Sequence, residues 1–272
     1  MTERPSVAII GVGAMGDALA SGLLSAGWEP TDISLCVRRL DRADELAHRT
    51  GCPVFQDATD AIADRDVVVI AVKPRDVPSV IKTLDGALDD RQLVLSLAAG
   101  VTTATYETAL GAIPVIRAMP NTPALVREGV TGIAGGNHAG TTSLDVAREV
   151  LGAVGAVRVM DEELLDAVTA VSGTGPAYVF LLAEALTEAA MREGLPFDIA
   201  EQFVHQTIRG AGHLLTDTSK SPAKLRYQVT SPGGTTAAAV HVLEEHGFRA
   251  LVEDAVRAAA IRARELGEGG AG

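Results

Sequence analysis

The chain has 272 residues, 47% of them hydrophobic but only 3% aromatic, with a single tryptophan, Trp28. That length fits one large domain or two moderate ones, and the apolar content supports a core of Ala, Val, Leu and Ile and excludes a disordered chain. Thirty-five acidic against 23 basic residues give a net charge of -12, a field that excludes a general nucleic-acid binder and requires any anionic ligand to be held by local donors.

Val7-Ala8-Ile9-Ile10 predicts a first strand, with glycines directly after it. Ala14 to Ser25 predicts a helix, Ile33 to Val37 a second strand and Asp41 to Arg49 a second helix. Asp66 to Val72 is the strongest strand signal, followed by Leu93 to Leu97 and Val115 to Ala118. Runs that are apolar on both faces belong to parallel sheets covered by helices. This half therefore predicts a βαβ series and a doubly wound α/β domain.

From about Asp161 the chain turns rich in Ala, Leu and Glu at helical spacing. Ala177 to Arg192 and Ile199 to Leu215 predict long helices, separated by Gly194-Leu195-Pro196, a stop followed by a restart. Phe248 to Leu266 predicts another, and no β-run follows Val159. The expected division is an α/β domain over 1–160 and an all-helical domain over 161–272, with a frayed Gly-rich tail after Leu266. Cys36 and Cys52 are too few for a disulfide framework, and the six histidines show no zinc-ligand spacing, so no metal is expected. The apolar run after Pro5 is too short for a signal segment, and no uninterrupted apolar stretch reaches bilayer length. A cytoplasmic protein with no membrane or nucleic-acid partner is expected.

Gly11-Val12-Gly13-Ala14-Met15-Gly16 is a GxGxxG between the first strand and the first helix. The first glycine makes a tight turn, the second lets a pyrophosphate approach the backbone, and the third lets helix pack on strand. The helix start offers free N–H groups and a positive dipole end, the local donors an acidic chain needs. Strand, motif, helix and second strand in this order predict a dinucleotide site. The second strand ends in Val37-Arg38-Arg39, two guanidinium groups that suit a 2′-phosphate, whereas Asp32 precedes the strand instead of ending it. NADPH is therefore expected, with NADH as the alternative; the competing reading leaves these arginines as solvated surface. Ala71-Val72-Lys73-Pro74 and Ala98-Ala99-Gly100 follow strands at positions that line a cofactor crevice. Lys73 either touches cofactor oxygens or stands there as a strand-end charge.

Three stiff loops remain. Asn121, counted with the cofactor contacts, sits between two prolines in Met119-Pro120-Asn121-Thr122-Pro123. Ser172-Gly173-Thr174-Gly175-Pro176 leads into a long helix, its proline suited to a first helical turn. Thr230-Ser231-Pro232-Gly233-Gly234-Thr235-Thr236 opens onto an Ala-rich helix, and its glycine N–H groups can form a carboxylate nest. One such loop alone reads better as a capped helix with a Gly-rich entry; three beside a nucleotide motif favour a substrate site.

In their order and wording these segments resemble the 1-pyrroline-5-carboxylate reductase family. Thr230 to Thr236, continuing to Ala239 and through His241-Val242-Leu243-Glu244, looks like its signature, and the likeness spans essentially the whole chain, Asp166-Ala167-Val168-Thr169 included. The resemblance implies a Rossmann-type domain followed by a helical domain that dimerises, with dimers often gathered into decamers. It implies NAD(P)H-dependent reduction of the cyclic imine 1-pyrroline-5-carboxylate to L-proline, the last step of proline biosynthesis. Ser231, Gly233, Gly234 and Thr235 are the expected carboxylate clamp. By resemblance Thr236 is the catalytic hydroxyl that reaches the ring nitrogen, and Glu162 is a substrate-proximal position that otherwise reads as an acidic first helical turn. Ala58 and Gln228 stand where members often carry Asn near the cofactor, so the family's adenosine contacts do not carry over at these two positions. No proton donor stands out, and His241 reads as structural or surface. The competing enzyme reading is another NADPH-dependent imine reductase or a β-hydroxyacid dehydrogenase, although Lys220 and Lys224, the only lysines after Lys82, are in no catalytic setting. A dinucleotide-sensing regulatory protein is the non-enzyme reading, and it leaves Ser231 to Thr236 without a purpose.

Overall fold

The structure, a computed structural model, describes residues 4–267, so the Gly-rich end at 268–272 lies outside the described residues. Eight strands form one sheet: β1 (Val7–Ile10), β2 (Ile33–Cys36), β3 (Val54–Phe55), β4 (Val67–Ile70), β5 (Leu93–Ser96), β6 (Val115–Met119), β7 (Gly129–Gly135) and β8 (Gly155–Val159). Their spatial order is 3-2-1-4-5-6-7-8. The first six run parallel in the doubly wound order that leaves a crevice at the ends of the neighbouring strands β1 and β4, where the strand order reverses.

Why the early runs form parallel strands is visible in their burial. Val7 and Ile9 of β1 face one apolar layer, with Leu19 and Leu23 of α1 (Ala14–Ser25) and Leu46 of α2 (Leu40–Thr50). Ala8 and Ile10 face the other, with Ile62 of α3 (Ala58–Ile62), Leu84 of α4 (Val77–Leu84) and Tyr106 of α5 (Thr103–Leu110). Alternate residues serve opposite layers, so strands covered on both faces are largely apolar, and the buried hydroxyls of Ser34 and Ser96 are hydrogen-bonded to Ala61 O and the Tyr106 hydroxyl.

The sheet is mixed beyond β6. β7 runs antiparallel to β6, and β8 returns parallel to β7 after α6 (Thr141–Gly152). The connection 120–128 holds only a 3-10 turn at Thr122–Val126, too short for a parallel crossover, so the chain must turn back.

The chain divides into two compact units, 1–174 with 259–272, and 175–258. The segment from 161 through 174, which follows the expected boundary at 160/161, packs with the sheet. Leu165 of α7 (Leu165–Val168) is fully buried, and its Cδ2 would be 2.9 Å from a Cβ at Gly132 of β7. The other unit holds α8 (Gly175–Arg192), α9 (Phe197–Asp217), α10 (Pro222–Gln228), α11 (Thr235–Glu245) and the first part of α12 (Phe248–Gly267). Within α8 to α11 only Thr187, Ala200 and Val204 are buried, while Phe180, Leu181 and Phe203 are each more than 60% exposed. The helical run Glu162–Arg192 is long and apolar enough to cross a membrane by length and composition. The sequence pattern hides it, because Ser, Thr and Gly interrupt its apolar residues.

Candidate active site

The crevice is a cleft of about 990 Å³ at the carboxyl ends of β1, β2 and β4. Of the expected cofactor residues, Gly11, Val12, Gly13, Ala14, Met15, Arg38, Arg39, Ala71, Val72, Lys73, Pro74 and Ala99 line it. The three motif glycines do different physical work. Gly11 has φ +91°, and a Cβ there would lie 2.7 Å from Val72 Cγ1, so both conformation and crowding demand glycine. A Cβ on Gly16 would fall 2.3 Å from Gly11 O, where α1 crosses the turn. Gly13 meets nothing within 4 Å: its bareness serves the cleft rather than the fold. It is also the N-cap of α1 and brings no capping side chain, which leaves the helix start open to an anion.

The arginines divide. Arg38 is 86% exposed and only loosely paired, with Nη2 3.8 Å from Asp76 Oδ2. Arg39 forms a two-pronged pair with Asp41, its Nε donating to Oδ1 at 3.0 Å; that hydrogen bond and charge hold the Asp41 carboxyl below its ordinary range. Arg38 is thus the freer cation for a phosphate. Arg42, one turn into α2, lines the same cleft beside Asp17 and Glu45; the sequence pattern did not single it out, although its i+4 spacing from Arg38 was the available signal. Thr122 also lines the cleft unforeseen.

Gly16, Ala98 and Asn121 do not line it. Ala98 is buried in the core layer. Asn121 spends its amide internally: Oδ1 accepts from the Val130 N–H at 2.9 Å and Nδ2 donates to Ser172 Oγ at 3.1 Å. Glu162 has an internal part too. Its carboxylate accepts from Thr103 N at 2.9 Å and Thr103 Oγ1 at 2.7 Å, capping α5, and lies 3.4 Å from Arg117 Nη1.

In the helical unit, Ser231 to Gly234 closes a turn through Gly234 N donating to Ser231 O at 3.0 Å. Pro232 at its second position and Gly233 at φ +67° in its third are the residues a type II turn requires. The Gly234 N–H is therefore already used, while Ser231, Gly233 and Thr235 are exposed and Thr236 half-buried. Gly234 caps α11 without a side chain, so the helix start keeps its donors. His241, 78% exposed and near Glu245, is a surface residue. Among the described residues no group of three or more metal-ligand side chains occurs.

Comparison with known proteins decides between the readings. The pyrroline-5-carboxylate reductase of Pseudomonas aeruginosa is 41% identical over 268 residues, covering 98% of each chain. The chain belongs to the pyrroline-5-carboxylate reductase family. A family profile described as pyrroline-5-carboxylate reductase dimerisation matches residues 162–266. A second, described as NADP oxidoreductase, coenzyme F420-dependent, matches residues 6–100. The solved pyrroline-5-carboxylate reductase of Coxiella burnetii superposes with a TM-score of 0.93 at 40% identity, covering 97% of this chain and 99% of that one. The pyrroline carboxylate reductase of Plasmodium falciparum, solved with NADP bound, gives 0.86 at 28% identity, covering 98% and 100%. The family's Rossmann-type NAD(P) domain followed by a helical dimerisation domain is thus the architecture found here.

Proposed function

We propose that this chain reduces 1-pyrroline-5-carboxylate to L-proline with NADPH, acting in the cytoplasm at the end of proline biosynthesis. The observation that carries the reading is the pairing, in one family member, of an open glycine cleft with the Ser231–Thr236 turn on a helix start. The residues fit the cofactor: Gly13 leaves room for a pyrophosphate against bare N–H groups, and Arg38 stands loosely held where a 2′-phosphate ends.

When bound, the cofactor supplies a hydride to the imine carbon. The chain holds and orients. Exposed N–H groups at Gly233 and Thr235, with the Ser231 hydroxyl, hold the substrate carboxylate, while the Gly234 N–H holds the turn itself. The Thr236 hydroxyl hydrogen-bonds the ring nitrogen as it becomes an amine. Lys73, at the cleft, neutralises cofactor oxygens. The helical unit pairs with a second copy, which covers the apolar side chains left bare on α8 and α9. That pairing accounts for the apolar run Glu162–Arg192 without a membrane, and such dimers can assemble into a decameric ring.

The test is NADPH oxidation by purified protein with 1-pyrroline-5-carboxylate, with proline as the measured product. Proline formation supports the reading, and folded protein that makes none refutes it. The cofactor preference has its own test. Arg38→Glu with Arg39→Glu should lower the NADPH/NADH ratio of kcat/KM by roughly tenfold or more, the scale of removing a charge-assisted hydrogen bond to phosphate. An unchanged ratio would return both arginines to solvated surface.

A further inference from the structure

The proposed chemistry uses the cleft and the turn but leaves unexplained a charged side chain sunk into the α/β unit. Arg117 on β6 has a side chain only 6% exposed, its guanidinium 3.0 Å from Asp166 Oδ1 and 3.4 Å from Glu162 Oε1. A buried cation is costly unless paired, and a salt bridge is seldom kept for stability alone. Both carboxylates come from one segment, four residues apart and hence on one helical face. Glu162 also ties that segment to α5 through Thr103.

The same strand grips this segment twice more. Met119 and Asn121 stand two and four residues beyond Arg117, on the same side of an extended chain that continues through Asn121 at φ -130°, ψ 166°. A Cβ on Gly173 would lie 2.7 Å from Met119 Cε, and Asn121 Nδ2 reaches Ser172 Oγ. Ser172 and Gly173 are the last two residues of a π-helical turn, Thr169–Gly173, a local irregularity of the kind found at functional sites. Directly after Asn121 comes Thr122, which lines the cleft with Leu97 and Ala99 beyond β5. In a doubly wound sheet that side of the crevice, past β4, receives the second nucleotide half of a dinucleotide, here the nicotinamide.

We propose that Arg117 is a positioning residue for hydride transfer: by clamping Glu162 and Asp166 it fixes the π-helical turn, and through Ser172 and Asn121 it fixes Thr122 at the nicotinamide side of the cleft. The proposal rests on the reductase reading above. It predicts damage to the chemical step with cofactor affinity retained, because the pyrophosphate loop and Arg38 lie at the other end of the cleft.

The experiment compares Arg117→Met, Arg117→Lys and Ser172→Ala with the parent protein. For each it reads kcat, the NADPH dissociation constant by cofactor fluorescence, and the isotope effect with NADPH deuterated at the transferred position. Arg117→Met should lower kcat by about 100-fold, the cost of a misplacement near 1 Å, and raise the isotope effect, while NADPH affinity stays within about threefold. Arg117→Lys should recover part of kcat, since the charge remains but the two-carboxylate fork does not. Ser172→Ala, which removes one acceptor and no charge, should give the same pattern at about 3- to 10-fold in kcat. If Arg117→Met fails to fold, Ser172→Ala decides. Unchanged kcat in the folded variants overturns the proposal, and so does a parallel loss of kcat and affinity without a change in isotope effect. Absence of proline formation by the parent protein would instead overturn the reductase reading on which the proposal rests.

Discussion

The two units solve the folding problem in opposite ways. In the α/β unit every residue of β1, β2, β4 and β5 is buried, and helices from the same chain cover both faces of the sheet. In the helical unit α8 and α9 run 18 and 21 residues, yet Phe180, Leu181, Phe203, Leu214 and Leu215 lie at least half bare. The first unit carries its own core; the second exposes apolar area that water opposes, which a partner relieves. The site chemistry follows this division. The proposed cofactor residues sit on turns held by a finished core, whereas the proposed substrate turn stands on helices whose bare apolar faces a second copy would cover.

The largest effect should therefore come from spoiling the pairing face while leaving the cleft alone. Phe180→Glu with Phe203→Glu places charges where apolar contact is required, at a desolvation cost of several kcal/mol. The variant should sediment as a monomer, lose more than about 100-fold in proline formation, and still bind NADPH within about threefold, because its α/β unit is untouched. A variant that stays dimeric and active would mean that the bare face is not the pairing face.

Thr236→Ala tests the helical unit's chemistry instead of its packing. It should keep the dimer and the NADPH affinity and lower kcat/KM by roughly one to three powers of ten, the range for removing a positioned polar group from beside the reacting atoms. Full activity would remove Thr236 from the mechanism.

Within the α/β unit a smaller pair of changes separates folding from function. Gly16→Ala drives a Cβ to 2.3 Å from Gly11 O and should cost about 1–3 kcal/mol in denaturant unfolding, the usual overpacking penalty. Gly13→Ala has open space, so it should leave stability within about 0.5 kcal/mol but weaken NADPH binding at least about tenfold, since the methyl occupies pyrophosphate space. Equal stability losses in both would erase the distinction between the two glycines.

The same division governs what could be read from the chain. Helix α1 spans Ala14–Ser25, the bounds the sequence predicts, because the glycine motif starts it and the apolar spacing carries it. The motif glycines were legible from their fixed spacing between a strand and a helix, although only Gly11 and Gly16 answer to a local backbone constraint. β7, with glycines at Gly129, Gly132 and Gly135, was not, since its sequence looks like a loop and only pairing with β6 and β8 makes it a strand. The internal ties of Glu162 to Thr103 and of Asn121 to Ser172 span 59 and 51 residues, and no local pattern reports contacts at that separation. Bare side chains on α8 and α9 read as ordinary core positions, for periodicity shows an apolar face without saying which chain covers it.

The mildest expectation is alkaline, and it too belongs to the α/β unit. Burial pushes the Cys36 thiol up to about 11, with the Asp57 carboxylate adding to the effect. Burial likewise pushes the Tyr106 hydroxyl up to about 12, partly offset by its hydrogen bond with Ser96 Oγ at 2.7 Å and by the Arg117 charge. A folded-state pKa raised above the ordinary values of 9.0 and 10.0 means that the native protein holds these protons more tightly than the unfolded chain does. Their contribution to stability is complete below about pH 9 and is lost as pH rises through the folded pKa values. Denaturant midpoints for the parent protein should hold level from pH 7 to about 9 and then fall towards pH 12, with Cys36→Ala flattening the early part of the decline. The thiol should also resist alkylation at pH 8, because it stays protonated and covered. If Cys36→Ala declines along the same curve as the parent from pH 9 to 11, the thiol is not what couples the α/β core to alkaline pH.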